Sequence, residues 1–199
     1  MLRMGRWQEM SEPVNPDRAV FGMQYHSGVS LAASFADEFS KYTNLEVGLI
    51  PCADGGTKIE LWQPGELLYD HAVMMTKLAM RTSQFSGIIW HQGESNCRYL
   101  NNSEYRALFL NVMTSLRRDL NAEHLPVIIG ELSEKTTWGF GDKVPQMNLL
   151  LHELQKELPL CAIASAEGLE LKEDGIHFNS ASCREFGKRY FEKYKELVL

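Results

Sequence analysis

Two stretches of the chain carry residue types and spacings that suit hydrolytic chemistry. Trp90-His91-Gln92-Gly93-Glu94-Ser95-Asn96 sets an imidazole, an amide and a carboxylate close together, directly after the apolar run Gly87-Ile88-Ile89. Asp174-Gly175-Ile176-His177-Phe178 sets a carboxylate three residues before a histidine. At that spacing the aspartate can accept a hydrogen bond from one ring nitrogen, fix the tautomer and stabilise the imidazolium. The other nitrogen is then free to take a nucleophile's proton. Gly175 permits a backbone tight enough for both side chains to point the same way. The competing reading of the pair is a helix-start aspartate beside a packed histidine.

Around these blocks lie residues suited to supporting roles, each with a plainer alternative. Gly55 and Gly56 leave backbone N–H groups open to a ligand, as an oxyanion hole needs; a strand-to-loop turn explains them equally well. Gln92 carries a neutral donor suited to a developing oxyanion, or is a structural loop amide. Glu94 orients neighbours or substrate, or braces its loop. His91 and Glu94 could ligate a metal, but no third and fourth ligands stand at sensible spacing, so no metal site is expected. Trp62 and Trp138 offer faces that suit carbohydrate rings, with packing as the default for each.

These loops need elements to hold them. Residues 46–50, 87–90, 126–130 and 160–164 are short, apolar and without alternation, as strands of a parallel sheet covered on both faces would be. Between them run amphipathic helices. Their proposed buried stripes are Leu67, His71, Met74, Met75 and Leu78; Tyr105, Leu108, Phe109, Val112, Leu116 and Leu120; and Met147, Leu150, Leu151, Leu154 and Leu158. A last stripe, Cys183, Phe186, Tyr190, Tyr194 and Leu197, follows a possible capping box at Ser182 and Glu185. An earlier helix is expected over residues 31–41, facing inward through Leu31, Phe35, Phe39 and Ala32. The β-α alternation predicts right-handed crossovers and a three-layer α/β fold. In such sheets ligands bind beyond the C-terminal ends of the strands. That rule selects the loops after the first, second and fourth strands: residues 53–57, 91–94, and 165–168 with 174–177.

At 199 residues the chain is read as a single domain, 1–199, with 44% hydrophobic residues to build its core. A net charge of −6 argues against a nucleic-acid or anionic-membrane partner. No run is long and apolar enough for a signal sequence or a bilayer span, so a cytoplasmic protein is expected. Cys52, Cys97, Cys161 and Cys183 show no paired spacing and are expected to be free thiols.

Three blocks, taken in order, resemble the sialate O-acetylesterase / carbohydrate esterase family 6 group of the SGNH-hydrolase superfamily. They are residues 47–57 with Ile59 and Trp62, then 90–96, then 174–178. The resemblance implies a three-layer α/β/α flavodoxin-like fold with a mostly parallel sheet. It implies removal of acetyl groups from sugars, of the acetylxylan esterase or sialate O-acetylesterase type, by a Ser-His-Asp triad without metal or organic cofactor. Asp174 and His177 match the acid and the base. Gly55, with Gly56 beside it, matches the glycine block that donates to the oxyanion, and Gln92 lies in the block that supplies its side-chain donor.

The family's serine stands in a GQSN-like block after its first strand, and this chain has neither GQSN nor GxSxG. Ser27, Ser30 and Ser95 lack the strand–turn–helix setting of an exposed nucleophile. In a 2-1-3-4-5 sheet the block belongs to the central strand. The expectation is therefore an N-terminally truncated domain, from an internal-methionine start or a shortened gene, with its first strand and nucleophile missing and its activity low. Two alternatives stand beside it: a non-catalytic remnant that binds acetylated sugars, and an unrelated enzyme with Cys52 or Cys97 as nucleophile. Residues 21–27 read as a loop insertion.

Overall fold

A computed structural model describes residues 1–15, 27–99 and 101–198; most of the proposed loop insertion at 21–27 lies outside them. The chain begins with a small antiparallel hairpin, β1 (Leu2–Arg3) and β2 (Arg6–Trp7), followed by α1 (Leu31–Thr43), a 3₁₀ turn over Ile59–Trp62 and α2 (Leu67–Ala79). Then come β3 (Ile88–Trp90), the single-turn α3 (Glu94–Cys97), α4 (Asn102–Asp119), β4 (Val127–Gly130), α5 (Val144–Glu157), β5 (Cys161–Ala164) and α6 (Ser180–Val198). The strands β3, β4 and β5 form a parallel sheet in that order, with Ile89 beside Ile128 and Ile128 beside Ala162.

Side chains on successive strand positions point to opposite faces, so each three-residue register feeds two cores. Trp90, Ile129 and Ile163 point into one, which α2, α4 and α5 complete with Leu68, Phe109, Met113, Met147 and Leu151. Ile89, Ile128 and Ala162 point into the other, completed by Phe35 of α1 and Phe186, Tyr190 and Phe191 of α6. The α1–α6 seam is aromatic: Phe35 meets Tyr194 edge-on at 5.7 Å, and Phe39 meets Phe191 at 6.3 Å. Two helical layers on a parallel sheet make the expected three-layer α/β fold.

Three details depart from the expectation. Residues 46–50 form no strand. A strand exists through its ladder, and here the Leu2 N–H donating to the Leu49 carbonyl (2.8 Å) is the one backbone tie among the described residues. The Trp7 ring lies over Gly48. Among the described residues β3 pairs with β4 alone. In α2 the stripe is rotated: Leu67 and Met74 are exposed while Leu68, Tyr69, Thr76 and Ala79 are buried. The helix packs through Leu68 and Tyr69, and the Tyr69 hydroxyl reaches Asp119 of α4 (2.7 Å). The capping box at Ser182 and Glu185 is not formed. Asn179 caps α6, its side chain accepting from the Ser182 N–H (2.9 Å), while the Ser182 hydroxyl accepts from the Glu170 N–H (2.7 Å). Glu185 pairs with Arg189 instead.

Candidate active site

Asp174 and His177 occupy a tight reversal just before α6. Leu171 and Phe178 face each other in an antiparallel bridge, and inside it the Lys172 N–H donates to the His177 carbonyl (2.7 Å). Gly175 turns the chain with φ +71°, a conformation that a side chain disfavours. The turn aims both residues at one another: His177 Nδ1 lies 3.0 Å from one Asp174 carboxylate oxygen. The second oxygen accepts from the backbone N–H groups of Ile176 (3.1 Å) and His177 (3.0 Å). The His177 N–H, the His177 ring and the Ile176 N–H hold the Asp174 carboxyl down to about 2. A carboxylate opposite Nδ1 assigns the proton there and leaves Nε2 as the basic nitrogen. The His177 side chain is 70% exposed, so that nitrogen is open to a substrate.

Glu94 and His91 stand beside this pair. Glu94 begins α3, and its carboxylate lies 3.2 Å from His91 Nε2. Burial pushes the Glu94 carboxyl up, but the His91 hydrogen bond, the charge of His91 and the nearby His177 outweigh it and hold it below the usual carboxylate range. Glu94 is thus placed to stabilise positive charge on either ring. His91 is wedged edge-on between Phe178 and Phe186, its Nδ1 3.4 Å from the Tyr190 hydroxyl. That hydroxyl donates to the Trp90 carbonyl (2.9 Å). Gly130 leaves room for both: a Cβ there would sit 2.1 Å from the Tyr190 hydroxyl and 2.9 Å from His91 Nδ1.

The glycine loop reaches the same place through Ser95, whose hydroxyl donates to the Gly56 carbonyl (3.0 Å). Gly55 and Gly56 are exposed, and among the described residues their N–H groups donate to no protein acceptor. Gln92 is buried with its amide fully engaged. It donates to the Thr57 carbonyl (3.2 Å) and the Asn96 side chain (2.7 Å), and accepts from the Tyr105 hydroxyl (2.9 Å). In this arrangement Gln92 braces the glycine loop against α3 and α4 and aims no hydrogen outward. Trp62 is buried too, edge-on to Trp90 at 5.2 Å with its N–H on Thr57.

Of the loop after β4, residues 131–140, only Trp138 stood out in the sequence, and its contacts with the Asp174–His177 turn did not. Thr136 donates its hydroxyl to the Gly175 carbonyl (2.8 Å), the Thr137 N–H donates to the same oxygen (3.0 Å), and the Trp138 indole N–H donates to the Asp174 carbonyl (2.9 Å). The loop therefore clamps the Asp174–His177 turn. Its place at the C-terminal end of a strand was the available signal. At the start of this loop Glu131 holds His152 (2.7 Å), the Ser165 hydroxyl (2.7 Å) and the Ala166 N–H (2.8 Å). Serine and histidine here both bind the carboxylate and not each other, so this group ties β4 to β5 and does not activate a hydroxyl.

Among the described residues no hydroxyl is hydrogen-bonded to His177. Ser30 caps α1, accepting from the Ala32 N–H, and Ser95 is engaged with Gly56. All four cysteines are free thiols. Burial pushes the Cys52 and Cys97 thiols up to about 12, which disfavours the thiolate a cysteine nucleophile would need. No group of three or more metal-ligating side chains is gathered among the described residues.

The sequence profile of the family described as carbohydrate esterase, sialic acid-specific acetylesterase, matches residues 1–196. A probable carbohydrate esterase of Arabidopsis thaliana, At4g34215, is 29% identical over 194 residues, spanning 95% of this chain and 71% of that protein. The X-ray structure of the Arabidopsis thaliana protein AT4G34215 superposes with a TM-score of 0.82 at 28% identity, covering 98% of this chain and 78% of that one. The carbohydrate acetylesterase XAC1771 of Xanthomonas citri shares the fold at a TM-score of 0.64 and 18% identity, over 89% of this chain and 42% of that one.

Proposed function

The chain belongs to the carbohydrate esterase, sialic acid-specific acetylesterase family, and from that premise we propose that its site takes acetyl esters of sugars, with His177 as general base and Asp174 as its orienting acid. The observation that carries this reading is the Asp174–His177 contact at 3.0 Å, with the second carboxylate oxygen held by two backbone N–H groups. The family-type reaction needs a nucleophilic hydroxyl, which none of the described residues supplies at His177; such a hydroxyl would pass its proton to His177 Nε2 and attack the acetyl carbonyl. The imidazolium then protonates the departing sugar oxygen, which leaves as the hydroxyl, and water, activated by the same ring, attacks the acetyl-enzyme and releases acetate. Asp174 and Glu94 both lie where negative charge favours the imidazolium. The open N–H groups of Gly55 and Gly56 are the donors for the oxyanion.

A second reading rests on a specific observation: no described hydroxyl meets His177. In that reading the chain binds acetylated sugars and does not cleave them. Acetate release from acetylated xylan fragments and O-acetylated sialic acid, followed with calorimetric binding on the same samples, tests the two. Saturable release supports the esterase, and saturable binding with no acetate supports the second reading. A folded sample that neither binds nor cleaves any of these sugars overturns both.

A further inference from the structure

One aromatic group beside the acid–base pair has no part in the chemistry above. Trp138 is 48% exposed, whereas Trp62 and Trp90, the other tryptophans of the site blocks, are each 8% exposed and packed. We infer that Trp138 is the sugar-recognising wall of the site, a tethered platform on which the pyranose ring lies while its acetyl ester reaches His177. The inference rests on the proposed action on sugar esters.

Three features set this indole apart from a loose surface tryptophan. Its N–H is fixed on the Asp174 carbonyl (2.9 Å), within the turn that carries His177. Its loop is anchored to the next carbonyl of that turn by Thr136 and Thr137. Behind it the buried Phe140 meets the ring at 5.9 Å and 62°. The ring is thereby held in one orientation before any ligand arrives, which lowers the ordering cost of binding. A pyranose has apolar C–H faces and a polar rim. An indole face covers the former and leaves the rim, where the ester hangs, free to enter the site. An acetyl group by itself has no such face, so the platform discriminates sugar esters from simple acetates.

The test is an NMR titration of the ¹⁵N-labelled full chain with methyl tri-O-acetyl-β-xylopyranoside, with ethyl acetate as comparator. The Trp138 indole signal, assigned by its loss in Trp138→Phe, is expected to move saturably with the sugar and not with ethyl acetate. Trp138→Ala is expected to weaken sugar binding by about fivefold or more, and Trp138→Phe, which keeps a ring but loses the N–H tether, by less than Trp138→Ala. Trp138→Leu gives the same reading should alanine loosen the loop. Because the indole N–H also holds Asp174, Trp138→Phe should shift the Ile176 and His177 amide signals without sugar. Sugar binding indifferent to both Trp138→Ala and Trp138→Leu overturns the inference and leaves the proposed function standing. A sugar that moves no signal of the unaltered chain overturns both.

Discussion

Asp174 is the residue with the clearest electrostatic signature. Its carboxyl is held at about 2 by the His177 N–H, the His177 ring and the Ile176 N–H. A carboxyl depressed in the folded state stabilises the fold fully above its unfolded value and loses that contribution as pH falls through its folded value. For Asp174 the window runs from about pH 4 down to about 2. Below pH 4 the Ile176 and His177 amide shifts should therefore move with a midpoint near 2. A midpoint near 4 would mean that the carboxylate is not held as described. At this scale the sequence was most legible. The DxxH spacing and Gly175 told of a shared turn, because an aspartate three residues ahead can bond both the backbone and the ring of a histidine. The commitment of Gln92 to Thr57, Asn96 and Tyr105 was not legible, since those partners come from three separate segments.

Elements set what these residues can reach. The turn of 171–178 and the loop of 131–140 act as one unit, joined by three hydrogen bonds onto the Asp174 and Gly175 carbonyls. Gly175 is the tightest point. It has φ +71°, and a Cβ there would stand 2.0 Å from the Thr137 hydroxyl. Gly175→Ala is expected to cost about 1–3 kcal/mol in chemical denaturation and to displace the amide signals of residues 136–138. A variant within about 0.5 kcal/mol of the unaltered chain would show that the two loops are not locked. Helical periodicity identified every long helix and most buried faces, because α4, α5 and α6 bury dense stripes. It misplaced the face of α2, where Leu67 and Met74 lie outward and Leu68 and Tyr69 inward. Leu68 and Tyr69 pack into the core there and Tyr69 reaches Asp119 of α4, and that tertiary packing sets the rotation. Residues 46–50 read as a strand by composition, but composition does not supply a partner.

The whole molecule is a parallel sheet sealed on both faces, with the site loops gathered at the C-terminal ends of its strands. Phe109 lies fully buried in the core shared by α2, α4 and α5. Phe109→Ala is expected to destabilise the protein by about 3–5 kcal/mol through lost burial and the cavity left behind. A loss under about 1 kcal/mol in denaturant unfolding would contradict that packing. The three-layer arrangement was legible in the strand and helix alternation, and the C-terminal-end rule led to the candidate loop at 91–94, but it reached the glycine loop from a strand that does not form and left out the loop at 131–140. Two histidines meet there, His177 on Asp174 and His91 on Glu94, and His177 alone is proposed as the base. The direct test is the rate of acetate release from an acetylated xyloside by His177→Ala and His91→Ala beside the unaltered protein. A loss of about a thousandfold or more is expected in His177→Ala and, with His91 wedged between Phe178 and Phe186, a far smaller loss in His91→Ala. A His177→Ala protein that releases acetate at the unaltered rate would contradict that role for His177.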